Sequence, residues 1–301
     1  MPNTLLRTEF AEFLRRVDIL AAASIAAPRA WLELRDRFER YRQMPATGAV
    51  RLADALIRPG KGDDLGWLLA HAVAEQTGID MPGIQAKVDQ HVYGVIEAKL
   101  RALWATHAKT AYQAAANAFT DAAHAFTAAA HATNVDTTDA AVVAHMSTEQ
   151  TAAWAAAPTL AAQLDAALPV LVTAAQLAGK TVDDETGGTL ALCVDTTNAD
   201  KRALWAAWET ETGRCGRWAA LTARGEGSPP ATIRALEDLD TFAPYPRPRP
   251  LEVRREPEPG APPGFYRDVV HDPEAPGYQP PDEPQRTMIP GKRLTRGAVI
   301  R

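Results

Sequence analysis

Apolar positions along this chain recur mainly in steps of three and four, the spacing of one helix face. The clearest run is Ala108, Tyr112, Ala115, Phe119, Ala122, Phe126 and Ala129. At its centre the sequence repeats, Ala118 to His124 and Ala125 to His131 agreeing at six of seven positions. Seven residues are close to two helical turns, so both copies fall on nearly one face. Tyr112, Ala115, Phe119, Ala122 and Phe126 therefore form a helix seam, with aromatic knobs set between alanines that permit close approach. The pattern predicts one long helix from Pro82 to about Ala132, and 50 residues at ~1.5 Å each would span about 75 Å.

The same spacing predicts helices on either side. Residues 4–44 read as two helices meeting at Pro28, with Leu6, Phe10, Phe13, Val17 and Leu20 on the first and Trp31, Leu34, Phe38 and Tyr41 on the second. Short helices are expected over 49–57 and after Asp63 or Asp64. The intervening Arg58-Pro-Gly-Lys-Gly-Asp-Asp64 is a loop and cap, because the phosphate-loop pattern is absent and no strand leads into it. Asn134 to Thr138 breaks the long helix. Ser147-Thr-Glu-Gln150 has the capping-box form and starts a further helix at Thr148, which Pro158 and Pro169 should interrupt or kink. This region folds back antiparallel on residues 82–132 in the simplest arrangement. Thr189 to Val194 is the one plausible extended segment. Asn198 can cap a helix over 199–223 carrying Leu204, Trp205, Trp208 and Trp218.

Composition adds two features. From Arg101 to Gly179, 30 of 79 residues are alanine and few are charged, so these helices need cover on several sides. Residues 241–301 hold 14 of the 23 prolines, which argues against a continuous helix or a central strand; Tyr245 to Pro250 should sample polyproline II. The last part of this tail differs. Gln285 to Arg301 carries five cations and no acid, and Met288, Ile289, Lys292, Arg293, Leu294, Arg296, Ile300 and Arg301 are the candidate partner-binding residues. Leu294-Thr-Arg-Gly-Ala-Val-Ile-Arg301 resembles the C-terminal loading peptides of encapsulin cargo.

Charge and chemistry exclude more than they assign. The net charge of −5 gives no overall basic field for nucleic acid. No apolar run reaches the ~18 residues of a membrane span. Arg15-Arg16 before Ile19 to Ala27 suggests an export signal, but Glu9, Glu12 and Asp18 interrupt it and favour an amphipathic helix. Cys193 and Cys215 are too few for a disulfide framework and match no zinc spacing. His124 and His131 lie two turns apart, too far to share a metal within one helix, and Asp121 with His124 is only a fragment of a bundle metal site. Asp183-Asp-Glu185 reads as a solvated turn. No catalytic motif occurs, and no catalytic residue, cofactor or metal is expected.

These readings combine into an all-α fold, an elongated helical bundle around one very long helix with an extended proline-rich C-terminal arm. Its regions are 1–80, 81–179, 180–224 and 225–301. The expected function is non-enzymatic, structural or assembly, with a phage or prophage virion as one setting. Its partners would be proteins, as a homo-oligomer or larger assembly, in the cytoplasm or a virion, with no membrane and no nucleic acid. The alternatives are a helical cargo or adaptor tethered by its basic C-terminal peptide, and an enzyme of unknown class.

Overall fold

The computed structural model describes residues 8–43, 67, 81–197, 199–223, 230–257, 259, 266–275 and 278, which are mostly helical. The expected helices over 49–57 and after Asp64 lie outside these residues. The chain divides into two compact units, Met1–Arg247 and Pro248–Arg301.

The first unit begins with α1 (Thr8–Ala22) and α2 (Arg29–Arg42). Helix α1 buries Phe10, Phe13, Leu14, Val17 and Leu20, the apolar stripe of its sequence. Pro28 is the N-cap of α2, and Trp31 and Phe38 are buried. An Arg35–Asp18 fork ties the two helices, one of its bonds 2.9 Å long. Phe38 meets Phe10 at 5.8 Å and Tyr93 at 5.3 Å between ring centroids.

Tyr93 belongs to α3 (Met81–Ala105), and α4 (Ala108–Ala132) follows. The expected single helix is therefore two helices of 25 residues, parted at Thr106–His107. The cause is local competition for carbonyls combined with tertiary anchoring. The Thr106 hydroxyl donates to the Leu103 carbonyl at 2.8 Å, and the His107 N–H closes a tight turn onto the Trp104 carbonyl. Trp104 is buried against Trp31, and the His107 ring reaches the Ala26 carbonyl at 3.0 Å.

Helix α5 (Ala140–Ala144) is a single short element capped by Asp139. Helix α6 (Thr148–Leu177) then packs along α4, and α1 also lies on it. It opens with the complete capping box, the Ser147 hydroxyl accepting from Gln150 N and the Gln150 side chain accepting from Ser147 N. Of the expected interruption or kink, no interruption occurs: the helix continues through Pro158 and Pro169. Each proline removes one backbone donor, while the neighbouring bonds and a buried face of Ala157, Ala161, Leu164, Leu171, Ala174 and Ala175 hold the helix together. By length and composition α6 is also long and apolar enough to cross a membrane, and 33% of its most apolar window is buried within the protein.

Beyond Gly187, α7 (Gly188–Cys193) replaces most of the expected extended segment. Only β1 (Val194–Asp195) is extended, paired antiparallel with β2 (Thr232–Ile233). The helix expected over 199–223 is split into α8 (Lys201–Trp208), capped by Asp200, and α9 (Gly216–Thr222). Gly213 at φ 95° and Gly216 at φ 52° turn the chain between them. A 3-10 turn at Leu239–Thr241 completes the unit.

In the second unit the proline-rich segment is not extended throughout. It contains an antiparallel hairpin, β3 (Glu252–Pro257) with β4 (Tyr266–His271), in register from Glu252 opposite His271 to Pro257 opposite Tyr266. Pro257 closes β3, and both strands are edges, where proline is tolerated.

Candidate functional site

The residues singled out in the sequence fall in three places. Met288, Ile289, Lys292, Arg293, Leu294, Arg296, Ile300 and Arg301 lie outside the described residues. Tyr112, Ala115, Phe119 and Phe126 are buried on α4, and Ala122 is half-buried beside them. The buried face is wider than a single seam, because Ala111, Ala116 and Ala123 are covered too. Two neighbours account for that width. One is α6. The other is the segment after β2, where the Tyr112 hydroxyl donates to the Leu236 carbonyl at 2.6 Å and Ala235 N donates to the Thr120 hydroxyl at 3.2 Å. Phe119 also meets Trp218 of α9 at 6.1 Å. His124 and His131 are exposed on the opposite side of α4. Among the described residues no group of three His, Cys, Asp or Glu side chains could hold a metal ion.

The three tryptophans expected on one helix over 199–223 sit on two helices and pack inward. Trp205 and Trp208 of α8 and Trp218 of α9 are buried, Trp208 standing edge-on to Trp218 at 6.0 Å. Trp218 Nε1 donates to Asp165 of α6 at 2.8 Å. Arg217 lies over Trp208, and Arg247 over Trp205. The chain after β2 returns to this cluster, Tyr245 closing on Gly187, where a side chain on the glycine would collide with the Tyr245 carbonyl.

A second node joins the α4–α5 loop, α6 and the α8–α9 turn. The Asp136 carboxylate accepts from the backbone N–H groups of Arg214 and Cys215. The Arg214 guanidinium donates to the Val135 carbonyl at 3.0 Å and to the Trp154 carbonyl at 3.4 Å, and it stacks on the Trp154 ring. Trp154 Nε1 donates to the Thr137 carbonyl at 3.0 Å. Sequence periodicity carries no signal for this node, because Arg214 and Cys215 reach their partners from 60 to 79 residues away.

Two hollows flank these clusters. The larger, about 830 Å³, is lined by His131, Asn134, Asp136, Thr210 and α9. The other, about 610 Å³, is lined by Asp195, Thr197, Asp200, Leu204 and Arg234 among others. The polar groups of the second are engaged in holding the fold. Asp200 caps α8 through Ala203 N, and Arg234 pairs with Asp195 at 2.8 Å and Glu237 at 3.1 Å. Hydrogen bonds from Thr197 N and Arg234 hold the Asp195 carboxyl below its ordinary range. Cys193 and Cys215 are both free and buried, and burial pushes both thiols up, away from the reactive thiolate. Asp183 caps its own turn through Thr186 N at 2.7 Å, which lowers its carboxyl. These polar groups thus brace loops and helix ends.

No protein-family model, curated protein or solved structure matches this chain.

Proposed function

We propose that this chain is a non-enzymatic structural or assembly protein, with a phage or prophage virion as a setting that suits it. In this reading it is an elongated helical bundle whose helix seams and proline-rich C-terminal arm make subunit contacts. The observation that supports it most is the outer side of α6. Its 30 residues include only two charged ones, Glu149 and Asp165. Thr151, Ala152, Ala155, Ala156, Thr159, Ala162 and Ala166 are exposed there. A surface made mostly of alanines, with Thr151, Thr159 and Gln163 among them and little charge, gains from being covered by another subunit. Light scattering of the full chain across a concentration series tests the reading. Association is expected, and a monodisperse monomer at every concentration overturns it.

A second reading rests on the tail sequence. Gln285 to Arg301 pairs five cations with apolar residues and has no acid, a composition that suits docking in an acidic groove and a role as tethered cargo or adaptor. Removing residues 285–301 should then abolish capture by the partner while leaving the thermal unfolding of the helical unit unchanged. Capture that survives the truncation removes this reading.

A further inference from the structure

The β3–β4 hairpin is built inside out. Cross-strand partners share a face of a two-stranded sheet, and successive residues alternate between faces. One face carries Glu252, Arg254, Val269 and His271, all half-buried. It is tied down by the segment that follows β4, Arg254 donating to the Tyr278 hydroxyl at 2.7 Å and Arg249 to the Pro273 carbonyl at 2.7 Å. The other face carries Val253, Arg255, Tyr266, Asp268 and Val270, with Leu251 just ahead of the strand. Here the apolar side chains are bare: Val253 is 65% exposed, Val270 60%, Tyr266 51% and Leu251 49%. The hairpin therefore half-buries Glu252, Arg254 and His271 while presenting Val253 and Val270 to water, the reverse of a sheet that faces its own core.

We propose that this outward face is a contact between two copies of the chain, and the proposal rests on the assembly reading above. The register makes the face self-complementary. Val253 stands opposite Val270, and Arg255 opposite Asp268. A two-fold axis running parallel to the strands lays β3 of each copy over β4 of the other. Val253 then covers the partner's Val270, and Arg255 faces the partner's Asp268. Both contacts occur twice, as an isologous interface requires. Facing sheets at a spacing of about 10 Å would bury the four valines, with two opposite-charge pairs beside them. A two-stranded hairpin by itself is marginal in water, and this pairing covers its exposed face. The face is smaller than the ~800 Å² per partner of a standard stable interface, so it contributes one contact of an assembly and its association depends on concentration.

Charge reversal tests the geometry on the full-length protein by sedimentation velocity. Arg255→Glu places Glu against the partner's Asp268, and Asp268→Arg places Arg against the partner's Arg255. Each variant alone should associate about tenfold more weakly than the unaltered protein. An equimolar mixture of the two restores both attractive pairs and should recover the original association. A hairpin that had merely misfolded in either variant would not be rescued by mixing. The double variant Arg255→Glu/Asp268→Arg should self-associate normally. If the unaltered protein associates and neither reversal weakens it, the contact lies elsewhere; this inference falls and the assembly reading stands. If the reversals weaken association but mixing restores nothing, the two-fold pairing is wrong. A protein that is monomeric throughout overturns both.

Discussion

The Arg214 guanidinium lies 3.7 Å from the centroid of the Trp154 ring and donates to the carbonyl of the same residue. That carbonyl is the one Pro158 leaves without its helical donor, four residues on. One side chain thus repairs the backbone defect that proline introduces in α6. It also covers the ring beside the defect and, through Val135, fixes the loop that leads away from α4.

Replacing Arg214 should accordingly cost more than a surface arginine does. Arg214→Ala loses a close cation–π contact and two hydrogen bonds to carbonyls, and about 2–4 kcal/mol of unfolding free energy is expected. Arg214→Lys keeps the charge but not the planar fork, and should recover less than half of the loss. Urea unfolding followed by tryptophan fluorescence reads both. A change within about 0.5 kcal/mol for Arg214→Ala, the range of ordinary surface substitutions, would show that the node is not coupled to global stability.

Gly213 should tolerate no side chain. Its φ of 95° lies where only glycine is at ease, and a Cβ there would drive into the Asp136 carboxylate. Gly213→Ala should destabilise by about 3 kcal/mol, through strain and displacement of Asp136. Asp136→Ala removes the acceptor instead and leaves two part-buried N–H groups unpaired, at a cost of about 1–3 kcal/mol. The two losses act through one contact, so the double variant should fall short of their sum. Additive losses would separate the two effects.

What the sequence disclosed and what it hid divide along the range of the interactions. The start of α6 at Thr148 was legible because its capping box is contained within four residues. The buried stripes of α1 and α4 were legible because a helix face is a local period. The parting at Thr106–His107 was not, because Trp104 and His107 are held by residues of α2 and the α1–α2 connection. The continuity of α6 through Pro158 was hidden for the same reason, its missing bond being supplied by Arg214 from 60 residues away. The hairpin is a different case. Its signal was local: Leu251 to Glu256 and Tyr266 to His271 contain no proline. Averaging composition over the whole tail masked two short strands between proline clusters.

Acid should weaken the fold through carboxylates that the structure holds ionised. Asp183 and Asp195 are lowered from an ordinary 3.8, chiefly by the backbone N–H groups of Thr186 and Thr197. Glu12 is lowered from 4.5 to about 2, first by its hydrogen bond from Arg15. Each is depressed in the folded state, so its contribution is complete above the ordinary value and is lost as pH falls through the folded one. As far as these carboxylates set it, stability should be flat between about pH 5 and pH 8 and decline towards pH 2. Asp195→Asn should make that decline shallower, as urea midpoints at successive pH values would record. An unchanged slope would mean that Asp195 titrates alike in folded and unfolded chains.

Alkali should weaken the fold by the opposite linkage. The Cys193 thiol is fully buried and raised well above its ordinary 9.0 by that burial. The Tyr112 phenol is raised above 10.0, first by burial and then by the neighbouring Cys193, while its hydroxyl donates to the Leu236 carbonyl. Both groups keep their protons in the folded protein at a pH where the unfolded chain has begun to lose them. Their contribution is therefore complete below about pH 8 and is lost as pH rises through 9 and beyond. Urea midpoints should fall between pH 8 and pH 10.5, and Tyr112→Phe, which has no proton to lose, should fall less steeply. The same burial governs reactivity. A thiol-specific disulfide reagent at pH 8 should leave Cys193 unlabelled in the folded protein and label it fully in 6 M guanidinium chloride. Rapid labelling of Cys193 in the folded protein would show that α7 opens far more readily than its burial implies.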